Sequence, residues 1–132
     1  MRTILINHYG NSMHPTIKEG DILSVSPVDP ASLQPGDVII YTVGKTAGKN
    51  KHAVTHRIVS VREKGLVTKG DNNLSADGTV VPFDRVVGRA EWVKRGTVLR
   101  LVKGGRAGRN TAFLIAVKLR IQKGVLKLIK PV

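Results

Sequence analysis

The sequence predicts a mainly β domain closed by a short basic helix. Short runs rich in Val and Ile recur along the chain, and each is bounded by Gly, Pro, Asp or Asn. Three junctions look alike: EGD at 19–21, PGD at 35–37 and KGD at 69–71. In each, glycine stands where a turn needs positive φ, and aspartate stands where its carboxylate can bond the turn backbone. A helical period appears only after Asn110.

Taken in order, the opening MRTILINHYG holds a short apolar run broken by Asn7 and His8 and reads as a first strand. It is too short for a secretory h-region or a membrane span. DILSVSPV and DVIIYTV are the next strands. VGKTAGKNKHA carries lysines and glycines without an apolar period and reads as a mobile excursion between strands. VTHRIVSV, GLVTKG, RVVGRAEWV and TVLRLV complete the β part, so residues 1–109 form the domain and residues 110–132 a separate basic segment. On a helix, Arg120, Lys123, Lys127 and Lys130 share one sector, while Leu114, Val117, Ile121, Val125 and Leu128 share another. Lys118 departs from this division and Gly124 interrupts it, and VKLRIQ also alternates as a strand would. Such a helix either packs on its own domain or lies on an anionic membrane with its basic side chains among the head groups.

Composition narrows the chemistry. The 132 residues suffice for one domain with a real core. Cysteine is absent, which removes disulfides, thiolate nucleophiles and cysteine-bound zinc. Lys and Arg number 22 against 9 Asp and Glu, a net charge of +13 that draws the protein toward anionic surfaces. Aromatic residues make up only 4%, too few for a stacking platform, so single-stranded nucleic acid is not an expected partner. Trp92 and Phe83 are expected in the core. His52 and His56 stand four apart, but no HExxH glutamate accompanies them and the run reads as strand, so no metal is expected.

The stretch GNSMHPTIKEGD at 10–21 sets a lone serine just ahead of a proline. A serine hydroxyl attacks only when a base removes its proton and donors hold the oxyanion that forms. His56 lies in a strand-like run, where the backbone would hold an imidazole whose ordinary pKa suits general-base work. TKGDNNLSAD supplies two carboxylates, Asp71 and Asp77, either of which could orient it.

The ordered set GNSMHPTIKEGD, PGDVIIY, THRIVSV, TKGDNN with Asp77 beyond it, and RVVGRA resembles type I signal peptidases. It is most similar to the archaeal and endoplasmic-reticulum branch, in which histidine replaces the catalytic lysine, and covers roughly Gly10 to Ala90. The resemblance implies a coiled antiparallel β core of the LexA/signal peptidase type. It assigns Ser12 as nucleophile with its own N–H as an oxyanion donor, His56 as general base, and Asp77 as the residue orienting His56, with Asp71 in support. Gly10, Asn11, Met13, Pro15 and Thr16 match the turn around the serine, with Met13 packed beneath it; His14 is the variable, surface position. The expected substrate is an extended precursor or leader peptide laid along a sheet edge, with small residues of the A-x-A type before the scissile bond. No cofactor is expected.

The chain departs from the family in two places. Relatives that cut exported preproteins carry a membrane anchor before the serine motif, whereas eleven residues precede Ser12. The basic tail, through Lys118, Arg120, Lys123, Lys127 and Lys130, is then expected to hold a cytoplasmic or peripheral protein at a membrane. Gly10 stands where some bacterial relatives carry a hydroxyl that helps the oxyanion hole. Two other readings predict different behaviour. A self-cleaving regulator of the LexA type needs a cleavage site, and the Ala-Gly pairs Ala47-Gly48 and Ala107-Gly108 both follow Ser12. A non-catalytic lipid or nucleic-acid binding module would need neither Ser12 nor His56.

Overall fold

The computed structural model of the chain describes residues 2–44 and 52–125. Seven antiparallel strands form one sheet: β1 (Ile4–Asn7), β2 (Ile22–Ser26), β3 (Val38–Val43), β4 (His52–Arg62), β5 (Gly65–Lys69), β6 (Val86–Arg95) and β7 (Val98–Leu101). Among the described residues one α-helix, α1 (Gly105–Gln122), follows. The path through the sheet is β1-β2-β6-β3-β4-β5, and β7 joins β6. β6 is the hub: β2 lies along one edge, while β3 and then β7 share the other.

β3 explains the core. Its sequence VIIYTV is apolar on both faces, and the strand is buried on both. Val38 and Ile40 pack on one side with Met13, Ile17, Leu23 and Val93; Ile39 and Tyr41 pack on the other with Ile58, Leu66 and Val81. Phe83 packs against this second cluster. Trp92 does not join either core. Strand alternation on β6 buries Val93 and turns Trp92 to the outer face, where it is 44% exposed between Ser24 and Leu101.

The three GD junctions anchor distant parts of the chain. Gly20 and Gly36 have positive φ, and the following aspartates accept from Lys18 N–H and Gln34 N–H. Asp21 also takes a two-pronged grip from Arg95, with bonds of 3.0 and 2.8 Å. Asp37 Oδ1 accepts from Gly105 N–H at 2.8 Å, satisfying an orphan donor at the start of α1. Gly70 differs from the expectation: its φ is not positive, and its glycine identity follows from close approach to the Ser12 turn.

The helix begins at Gly105 rather than Asn110, so it crosses the boundary expected at 109/110. VKLRIQ is helical within it. Its start is possible because glycine lets backbones touch: a Cβ on Gly108 would lie 2.4 Å from Gly36 O and 2.7 Å from Arg57 Nη1. The excursion expected over VGKTAGKNKHA is shortened at both ends by β3 and β4, and residues 45–51 lie outside the described residues. Lys127, Leu128 and Lys130 of the tail also lie outside them. No helix among the described residues is long and apolar enough to cross a membrane.

Candidate active site

The serine turn leaves β1 and folds over the sheet through its own sequence. His14 N–H bonds Asn11 O at 3.1 Å, Ile17 N–H bonds Met13 O at 3.0 Å, and the His14–Pro15 peptide bond is cis. Met13 is fully buried beneath the turn, while His14 and Pro15 face solvent. Ser12 is half-buried, and its backbone N–H donates to no acceptor among the described residues. That donor is free for a developing oxyanion. Gly10 has φ of 94° with open space where a side chain would lie, so no hydroxyl helps from that position.

β4 brings the histidine. His56 shares a face of the sheet with Ile39, its cross-strand partner, and successive alternation sends Arg57 to the opposite face. His56 Nε2 lies 3.1 Å from Ser12 Oγ, and Nδ1 lies 2.6 Å from Asp77 Oδ2. His56 is 8% exposed, with the Tyr41 ring edge-on against its imidazole at 6.4 Å. Asp77 is held in turn. Its N–H bonds Thr68 O at 2.8 Å, and its Oδ2 accepts from Thr68 Oγ1 at 2.7 Å and from Tyr41 O–H at 3.4 Å. Burial, opposed by Thr68 and aided by Asp77, raises the Tyr41 phenol above its ordinary value, so it stays a donor at neutral pH.

Asp71 does not touch His56. Arg57 Nε and Nη2 grip its two oxygens at 3.0 and 2.9 Å, and Thr16 Oγ1 donates to it from the serine turn. Arg57 Nη1 continues to Gly36 O and Lys103 O, both at 2.7 Å. The KGDNN block is thus a platform for the turn: Asn72 N–H bonds Ser12 O at 2.8 Å, Asn72 Nδ2 bonds Asn11 O at 3.0 Å, and Asp71 N–H points at Met13 Sδ at 3.4 Å. A Cβ at Gly70 would lie 2.5 Å from Ser12 O.

Two clefts meet at Val54. One is lined by Ile6 to Tyr9, Ser12 and His52 to Thr55; the other by Tyr41, His56, Asp77, Val80 and Pro82. Between them runs the first half of β4, which pairs with β3 on one side, whereas β5 joins the other side only from Arg57 onward. Residues 52–56 therefore present an open backbone edge among the described residues, beside Ser12. His8 borders the same cleft, 6% exposed, with Nε2 buried and unpartnered among the described residues. Burial lowers its pKa, against the pull of Asp21 and Glu19.

The structure therefore brings Ser12, His56 and Asp77 into one chain of contacts and places Asp71, Asn11, Met13 and Thr16 in its support. Thr68, Tyr41, Arg57, Asn72 and His8 complete the surroundings without having been singled out in the sequence. Thr68 and Asn72 lay inside the quoted TKGDNN, Tyr41 inside PGDVIIY and Arg57 inside THRIVSV, but nothing in those letters marked their roles. Among the described residues no group of three or more His, Asp or Glu could hold a metal. No family model, curated protein or solved structure matches the chain.

Proposed function

We propose that the chain is a serine endopeptidase resembling signal peptidase, built on a β core of the LexA/signal peptidase type. The observation that carries this reading is the relay from Ser12 Oγ through both nitrogens of His56 to Asp77. In it, His56 Nε2 takes the Ser12 proton as Oγ attacks the scissile carbonyl carbon, and Asp77 holds the tautomer with the proton on Nδ1. The Ser12 N–H receives the oxyanion. His56 then protonates the leaving amine, and a water deprotonated by His56 releases the acyl group from Ser12. Base, acid and nucleophile are all side chains, so hydrolysis needs no cofactor.

The substrate is an extended peptide with small residues before the cleaved bond, pairing with the open edge at 52–56. Self-cleavage is disfavoured at Ala107-Gly108, because that pair lies in α1 with Gly108 N–H bonded to Gly104 O at 3.0 Å. Ala47-Gly48 lies outside the described residues.

The test is cleavage of A-x-A peptides by the wild-type protein, Ser12→Ala and His56→Ala. Each variant is expected to lose at least about 10⁴-fold in kcat. Hydrolysis that persists in Ser12→Ala would sink the reading.

A further inference from the structure

The sequence leaves open whether the apolar stripe of the helix meets the domain or a membrane, and in the structure Leu114 of that stripe is exposed. Along α1, Gly108 and Leu119 are buried and Ala112 is half-buried, so this side lies against the sheet. On the opposite side, at 100° per residue, Phe113, Leu114, Val117 and Ile121 fall within an arc of about 100°. Phe113 is 67% and Leu114 68% exposed, while Val117 and Ile121 are half-buried. Exposed Arg120 and Lys118 border the arc on its two sides. The sequence from 103 to 132 contains eight Lys and Arg and no acidic residue.

We infer that this outward face of α1 docks on an anionic lipid surface, its apolar arc entering the interface and Lys118 and Arg120 reaching the head groups. A second copy fits poorly, because pairing two such helices would bring two uncompensated positive segments together. Phosphates of nucleic acid would satisfy the cations and leave Phe113 and Leu114 in water. The lipid surface accommodates both parts.

Docking would also orient the molecule. Pro15 and Thr16 of the serine turn line one cleft together with Thr111 and Ile115 of α1, so a helix lying on lipid keeps the turn beside the surface. This clause rests on the peptidase reading; the docking itself does not.

Sedimentation of the full chain with vesicles of phosphatidylcholine alone and of phosphatidylcholine with phosphatidylglycerol is the test. Binding to the anionic vesicles is expected, unchanged in Ser12→Ala. The double variant Phe113→Ser, Leu114→Ser is expected to lose about tenfold or more in partition, and Lys118→Gln, Arg120→Gln roughly thirtyfold. All four side chains are exposed, so the fold tolerates their replacement. No binding to either vesicle, or a Phe113→Ser, Leu114→Ser double variant that binds as tightly as wild type, would overturn the inference. So would a dimer that the serine pair abolishes, since a second copy would then cover the arc.

Discussion

Asp71 and Asp77 sit in one loop and have separate tasks. Asp77 faces the imidazole, and on the peptidase reading Asp77→Asn is expected to lower kcat by roughly 10⁴ with the fold intact, because the amide stabilises the wrong tautomer. Asp71 is paired with Arg57 where both side chains are nearly inaccessible, so Asp71→Asn leaves a buried guanidinium without its counter-charge. A loss of about 3–5 kcal/mol in denaturant unfolding is expected, together with a loosened Ser12 turn. The sequence left this choice open because the loop follows β5, whose pairing with β4 contains a register shift between Ile58 and Ser60. Alternation counted along the letters does not reveal such a shift. Thr68 and Tyr41 were hidden for a related reason, since each is an ordinary strand residue until the sheet places it beside Asp77. His8 adds a pH signature. Its folded pKa lies below the ordinary 6.5, so the folded state binds fewer protons than the unfolded one below that value. Stability is complete above about pH 6.5 and declines as pH falls through the lowered folded pKa. Thermal melts of His8→Gln should lack that decline.

At the scale of elements, every strand was legible, because each is a Val- and Ile-rich run ended by a turn residue. The helix start was not. Glycine is a poor helix former, yet Gly108 lets α1 pass against Gly36 and Arg57, Gly104 lets its start approach Asp37, and the cap comes from Asp37, far away in sequence. Local signals carry no record of such a partner. Asp37→Ala removes the acceptors for Gly105 N–H and Gln34 N–H. A destabilisation of about 1–2 kcal/mol is expected, with hydrogen exchange in the first turn of α1 accelerated more than in β6. The outward arc of α1 was likewise unreadable: Leu114, Val117 and Ile121 keep the expected period, but α1 ends at Gln122 before Val125, and which of two apolar sides meets the sheet depends on where glycine permits contact.

Across the whole molecule, all three GD aspartates are buried and each ties separate segments together. Asp21 illustrates the cost and the return. Burial opposes its charge, yet the Arg95 fork and the Lys18 N–H hold it below the usual carboxylate value of 3.8. The folded state therefore binds fewer protons than the unfolded chain, and this stabilisation is present above that value and lost as pH falls through the lowered one. Acid titration of Asp21→Asn should show lower stability at neutral pH and a flatter acid limb than wild type.

The contacts that hold Ser12 come from Gly70 to Asn72, and its relay ends at Asp77, nearly half the chain later. During synthesis Ser12 emerges long before His56 or its platform exists. On the peptidase reading, competence to cut arrives with closure of the sheet, a slow, non-local event, and a chain still growing carries an inert serine.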